Sequence, residues 1–228
     1  MSVLYRLDAS IRADGSDTRS LAESFQAATL GNFEDVSIIK REIGLTPLPS
    51  TAWAGAVFGP YSSLEQRLPE QTEGMAIAAE LADELIAADA YVFAVPFYNF
   101  GVSQHFKAYV DIVLAEPRFA PDGSSIIAGR PAQLITAKGG RYGPGTHRYG
   151  WDHATSWYCR VLRDIWQLDL EVIEIELTLA DTTPAMESLR GLAASNLSEA
   201  HVAARQNGER LARRLGHATV LDLAKAAG

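Results

Sequence analysis

Cysteine is all but missing from this chain of 228 residues, which has only Cys159. One thiol cannot close an intrachain disulfide, so packing has to hold the fold and nothing points to an oxidising compartment. The setting of Cys159, Trp157-Tyr-Cys-Arg-Val-Leu162, reads as an amphipathic helix with a packed thiol. Positive charge is short too, with 20 Lys and Arg against 28 Asp and Glu and a net charge of −8. That balance argues against nucleic acid or an anionic membrane as partner, since both need clustered cations. No apolar run approaches the ~18 residues of a spanning helix, and no basic segment followed by an apolar one opens the chain. The expectation is a cytoplasmic protein. The first loop lacks G-x-G-x-x-G and the chain lacks G-x-x-x-x-G-K-[ST], against a tightly held dinucleotide and a P-loop NTPase. A cysteine-dependent phosphatase would need its nucleophile in that loop, far from Cys159. His147, Asp152 and His153 lack metal-ligand spacing, so no metal is expected.

What is present is a core. Apolar residues at 47% and charged residues at 21% suit a single domain over residues 1–228. Strands are expected at Ser2–Leu7, Asp35–Lys40, Tyr91–Val95, Pro131–Ala137 and Leu170–Leu177. The last alternates apolar residues with Glu, which places it at a sheet edge. Helical spacing marks the segment after Thr18, then Gly74–Ala88, Val102–Val113, Ala154–Trp166 and a long stretch from Pro184 to Leu215 that Gly191 and Gly208 could interrupt. Gly44–Pro69 contains four prolines and reads as an excursion with little regular structure, serving as a cover, an interface element or a mobile segment. Strands alternating with helices give an α/β fold, a right-handed doubly wound parallel sheet of five strands.

Ligands of such sheets lie beyond the carboxyl ends of the strands. The apolar run Tyr91-Val-Phe-Ala-Val95 reads as a strand buried on both faces, and Pro96 removes a donor and stops its ladder. Phe97, Tyr98, Asn99 and Phe100 then leave the sheet together, three rings and one two-way amide suited to a flat heterocycle such as a flavin. Between the first strand and helix stand Ser10, Ser16 and Thr18, hydroxyls that either serve a phosphate at a helix N-terminus or simply cap the helix. Arg12 and Arg19 could add cationic help, whereas Asp17 has to point outward or cap the helix. After the fourth strand, Ala137-Lys-Gly-Gly140 is either an ordinary turn or a place where backbone amides meet a ligand closely. Tyr142, His147, Tyr149 and Trp151 follow on a loop that could stack on a substrate or act as a plain lid. Phe106 is assigned to the core, and Lys107 and Asp111 to a surface pair.

Taken together, Ser10-x-Arg12-x-x-x-Ser16-x-Thr18, Pro96-Phe-Tyr-Asn-Phe100 with Phe106, Lys107 and Asp111, and Ala137-Lys-Gly-Gly-Arg-Tyr142 form one pattern. It resembles the FMN-dependent NADH azoreductases of the flavodoxin-like fold, which also reduce quinones, from Val3 to about Ala204. The resemblance implies strand order 2-1-3-4-5 and a homodimer with its sites at the subunit interface. It implies tightly but non-covalently bound FMN, and ping-pong transfer of two electrons from NADH or NADPH to a quinone or azo compound. By the same resemblance Ser10, Ser16 and Thr18, with Asp17 between them, correspond to the phosphate loop. Pro96, Phe97, Tyr98, Asn99 and Phe100 correspond to the segment along the flavin ring. Ala137, Lys138, Gly139 and Gly140 correspond to the loop at its other polar edge, with Tyr142 beside it. Departures are Asp17, Lys138 where Arg is common, and Glu116-Pro-Arg-Phe119 near the family's substrate entrance. The alternatives are a flavodoxin-like electron carrier and an FMN reductase supplying reduced flavin to a partner. Hydride transfer between stacked rings needs no general base, so no catalytic side chain is expected.

Overall fold

Five parallel strands form one sheet in the order β2-β1-β3-β4-β5. They are β1 (Ser2–Asp8), β2 (Val36–Glu42), β3 (Ala90–Ala94), β4 (Pro131–Ala137) and β5 (Asp169–Ile175). The computed structural model describes residues 1–121 and 123–226, with side chains as far as His217. The flavodoxin-like order expected from the resemblance is the order found, and β5 is an edge strand.

Side chains alternating along β3 feed two separate cores. Tyr91, Phe93 and Val95 pack on one face with Leu81, Phe106 and Tyr109; Ala90, Val92 and Ala94 pack on the other with Leu21, Phe25 and Leu211. The first core belongs to α3 (Pro69–Ala87) and α4 (Gln104–Leu114), the second to α1 (Asp17–Asn32) and α6 (Arg190–Ala226). Rings dominate the first. Phe93 lies 5.9 Å from Tyr91, 6.1 Å from Tyr5, and 6.2 Å from both Phe106 and Trp166. This face of β3 needs no polar residue because helices cover it completely.

Three expectations need correction. The excursion between Gly44 and Pro69 contains a two-turn helix, α2 (Ala52–Phe58), and a 3₁₀ turn at Gly59–Tyr61. Small residues explain it: a Cβ on Gly55 would lie 2.3 Å from the Glu70 carbonyl oxygen, and one on Gly74 would lie 2.5 Å from that of Ala52. The helix forms because α3 lets it approach, and a seven-residue helix with one small-residue face carries little periodic signal. The helix expected at Ala154–Trp166 divides into α5 (Thr155–Cys159) and a π-helical turn at Arg160–Ile165. Pro96 ends the ladder on one side only. The N–H groups of Val95 and Phe97 still donate to Ile135 and Ala137 of the β4 side, at 2.9 and 3.0 Å, while the last bond to the β1 side is Ala9 N–H to the Ala94 carbonyl at 3.0 Å.

Neither Gly191 nor Gly208 breaks α6. Gly208 is instead a point of tight contact between α6 and α1. Its missing side chain would lie 2.3 Å from the Phe25 carbonyl oxygen, and Thr29 Oγ1 donates across the gap to the Gly208 carbonyl at 3.3 Å. Gly208→Ala should therefore destabilise the protein by about 1–3 kcal/mol through overpacking, despite alanine's better helix propensity. A melting temperature at or above wild type would contradict this account of the contact.

Candidate functional site

The first wall of the site begins with a buried charge. Asp8, at the carboxyl end of β1, is fully buried and accepts from Arg6 Nε at 3.1 Å and Nη2 at 3.2 Å, with Arg19 and Lys40 each 3.5 Å away. Arg19 is not free to serve a ligand, contrary to expectation. It pairs with Glu42, donates to the Ser10 carbonyl at 2.8 Å and to the Arg12 carbonyl at 3.1 Å, and so holds the loop's backbone in place. Burial opposes ionisation of Glu42, but Arg19 and the N–H groups of Leu45 and Gly44 hold its carboxyl below the usual range. Gly44 is obligatory here, because a Cβ would lie 2.1 Å from the Ser10 carbonyl oxygen.

On this frame the loop turns three hydroxyls toward one space. Ser16 is the N-cap of α1, accepting from Arg19 N–H at 3.4 Å, and its Oγ lies 3.3 Å from Thr18 Oγ1. Asp17 and Thr18 open the helix, so their N–H groups have no intrahelical partner and the positive end of the helix dipole faces the same space. Asp17 lines that space instead of pointing away, and burial pushes its carboxyl up against the pull of Arg12 and His201.

The second wall is the segment after β3. Tyr98 and Gly101 exchange two backbone bonds, 2.9 and 3.3 Å, across a tight turn whose central residues Asn99 (φ 47°) and Phe100 (φ 66°) are both left-handed. Asparagine tolerates that conformation. Phenylalanine does not, and its backbone strain is of order 1–3 kcal/mol. The Phe100 carbonyl is held by His153 N–H at 3.2 Å, and the ring stands partly exposed against Tyr142 at 6.3 Å and Trp151 at 5.7 Å. The Asn99 amide bonds to no described residue. Tyr98 joins the two walls: its hydroxyl accepts from Ile11 N–H at 3.2 Å and lies 3.5 Å from Ser10 Oγ.

The third wall follows β4. The carbonyls of Lys138, Gly139 and Gly140 accept from Thr178, Leu179 and Leu177, while the N–H groups of Gly139 and Gly140 donate to no described residue. A Cβ on Gly139 would lie 2.6 Å from Leu179 Cδ1, and one on Gly140 3.0 Å from Arg148 Nη1. Lys138 stands apart from the expected set. Its side chain is sunk beneath Phe97 and Tyr142, with Nζ 2.5 Å from Asp152 and 2.7 Å from Glu174. Asp152 in turn accepts from the N–H groups of Ala154 and Thr155 at 2.9 and 3.0 Å, capping α5.

These walls enclose a cleft of ≈ 300 Å³. Every site residue expected from the sequence lines it except Lys138. Arg12, Gly15, Arg148, Thr178 and Leu179 line it as well. Thr178 and Leu179 were findable from the rule that ligands lie beyond strand ends, applied to the fifth strand. Arg148 carries no signal of that kind, since it sits in a Gly-rich loop where any residue type is ordinary. Phe119, at the departure from the family pattern, is buried against Trp166 at 5.9 Å. No group of three or more His, Cys, Asp or Glu among the described residues could hold a metal ion.

A doubly wound sheet with a hydroxyl-rich helix start, an aromatic turn and a Gly-Gly loop around one cleft defines a flavodoxin-like protein. A family model described as flavodoxin-like fold matches residues 1–195. FMN-dependent NADH:quinone oxidoreductases of Frankia alni and Frankia casuarinae are 37% and 36% identical to the chain; the alignments cover 82% and 90% of it and 89% and 98% of theirs. The chain belongs to this flavodoxin-like family, among the FMN-dependent NADH:quinone oxidoreductases. An azoreductase from Bacillus anthracis superposes with a TM-score of 0.73 over 92% of this chain and all of its own, at 18% identity, which reports on fold alone. A second from that organism, solved in complex with FMN, gives 0.72 over 93% of this chain and all of its own, at 17% identity.

The Lys138–Asp152 contact makes the third wall pH-sensitive in a defined direction. Burial acts against ionisation of Asp152, yet Lys138 and the cap bonds hold its carboxyl at about 2, below the ordinary 3.8. A depressed folded-state value stabilises above the unfolded value and is lost as pH falls through the folded one. The stability difference between wild type and Asp152→Asn should therefore be full above pH 4 and shrink toward pH 2. Thermal melts giving a pH-independent difference would remove this pair from the account.

Proposed function

We infer that this chain is an FMN-dependent oxidoreductase that passes two electrons from NADH to quinones or azo compounds. What carries the reading is the cleft itself, in which hydroxyls, rings and free amides stand in the order that phosphate, ring system and polar ring edge would need. The named activity of relatives at about a third identity supports it, and none of the relatives cited is named as an electron carrier.

FMN, when bound, supplies the two-electron chemistry. The protein's part is to bind and orient. Ser10, Ser16 and Thr18 would hold the phosphate with the N–H groups opening α1. Pro96 to Phe100 lie along the ring, where the unpartnered Asn99 amide serves its pyrimidine edge. The free N–H groups of Gly139 and Gly140 would hold the polar edge of the ring system as donors. Ala137 and Tyr142 close that end, and buried Lys138 supports it from beneath without touching the ligand. No side chain acts as acid or base.

The working unit is a homodimer in the cytoplasm. Trp53, Phe58, Tyr61, Leu64 and Leu68, between 54% and 86% exposed, form a group of large apolar side chains on and after α2 that a second copy would cover. Among the described residues no helix is long and apolar enough to cross a membrane. Sedimentation should give twice the chain mass, and a strictly monomeric species that retains full activity would overturn the dimer.

The purified protein should be yellow and oxidise NADH with a quinone present. The double variant Ser16→Ala with Thr18→Ala should hold FMN at least tenfold more weakly, since a hydrogen bond to a charged group is worth ~1.5–3 kcal/mol. Fluorescence titration showing wild-type affinity in a folded double variant would exclude these hydroxyls from the phosphate site.

A further inference from the structure

Arg148 lines the cleft, and the assignments above leave it without a task. Its guanidinium lies 5.8 Å from the ring centre of Phe100 and 5.9 Å from that of Tyr142, and Nη1 lies 3.0 Å from the point a Cβ on Gly140 would occupy. Two ring faces hold the group in place. Among the described residues it makes no side-chain hydrogen bond and no ion pair. Arg6, Arg19 and Arg41 pair with Asp8, Glu42 and Glu84, and Arg67 and Arg130, which have no carboxylate partner, donate to backbone carbonyls. Lys138, 6.0 Å from the Tyr142 ring, is likewise neutralised by Asp152 and Glu174. The other cation lining the cleft, Arg12, belongs to the loop before α1, on the opposite wall. In a chain of net charge −8, an oriented and unpaired fork of N–H donors on a ligand cleft stands out.

We propose that Arg148 is a specificity residue that selects electron acceptors carrying an acidic group, carboxylate or sulfonate, directly on the aromatic ring. This rests on the oxidoreductase reading above and deepens it. Guanidinium matches such oxyanions with two parallel N–H bonds and presents its flat face to rings at the same time. The anion sits on the ring system itself because the guanidinium is within 6 Å of both aromatic walls, about a ring's width. A diphosphate several bonds removed from a nicotinamide ring would fall outside that reach. Neutral quinones still enter, so the residue sets preference and not the reaction.

The test uses the FMN-loaded protein as wild type, Arg148→Gln and Arg148→Lys. Two quinones are compared, 1,4-naphthoquinone and its 2-sulfonate, with naphthalene-2-sulfonate and 2-naphthol as non-reacting probes for calorimetry. In Arg148→Gln the ratio of kcat/KM for the sulfonated over the plain quinone should fall about ten- to hundredfold, whatever happens to absolute rates. The Kd of naphthalene-2-sulfonate should rise by a similar factor relative to 2-naphthol. Arg148→Lys should lie between, keeping charge without the fork. An unchanged ratio overturns the proposal. So does a defect confined to flavin reduction by NADH in stopped flow, which would make the donor's diphosphate the anion, or one traced to a shifted FMN midpoint potential. Protein that binds no FMN defeats the oxidoreductase reading. Protein that binds FMN, oxidises NADH and treats both quinones alike in all three forms defeats only the role of Arg148.

Discussion

A buried carboxylate fixes the geometry of this molecule at the place where it matters. Asp8 has no exposure, and an uncompensated charge there would be prohibitive. Arg6 answers it within the same strand, and Arg19 from α1 and Lys40 from β2 converge on it. Arg19 then spends its remaining donors on the carbonyls of Ser10 and Arg12. One charge thus ties β1, β2, α1 and the intervening loop together. The hydroxyls of Ser10, Ser16 and Thr18 stand on the backbone that this arrangement fixes, and their own bonds to Tyr98, Arg12, Arg19 and each other complete their placement.

The other two walls are held in a comparable way, by bonds made behind the cleft surface. Phe100 keeps its left-handed backbone because Tyr98, Gly101 and His153 bond around it. Lys138 fixes the loop beyond the Gly-Gly pair through Asp152, whose other oxygen caps α5. At Lys138 a residue in the recognisable motif contributes by support, and what faces the cleft there is the Gly-Gly backbone and a neighbouring ring.

The sheet was legible from the sequence because burial on two faces leaves long apolar runs, as at Tyr91–Val95, and a half-wet edge leaves alternation, as at β5. The hydroxyl and aromatic positions were legible because strand ends are where ligands lie, and the family resemblance supplied the strand order. Three features were not. Arg19 and Lys138 look like any cation in a motif, and only tertiary pairing turns them inward. Arg148 gains its meaning from two rings distant in sequence. Helix α2 depends on small residues meeting across a helix pair, which no single-segment periodicity records.

Pro96 has a structural effect larger than one lost bond. Beyond Ala9 and Ala94 the two central strands unzip, whereas β3 and β4 remain laced as far as Phe97 and Ala137. The fissure therefore runs along a single seam, and its depth is set by an imino acid that cannot supply the next stitch. An ordinary residue at that position would bring a donor to the seam, and the chain would gain the means to sew shut the opening its ligand is meant to enter.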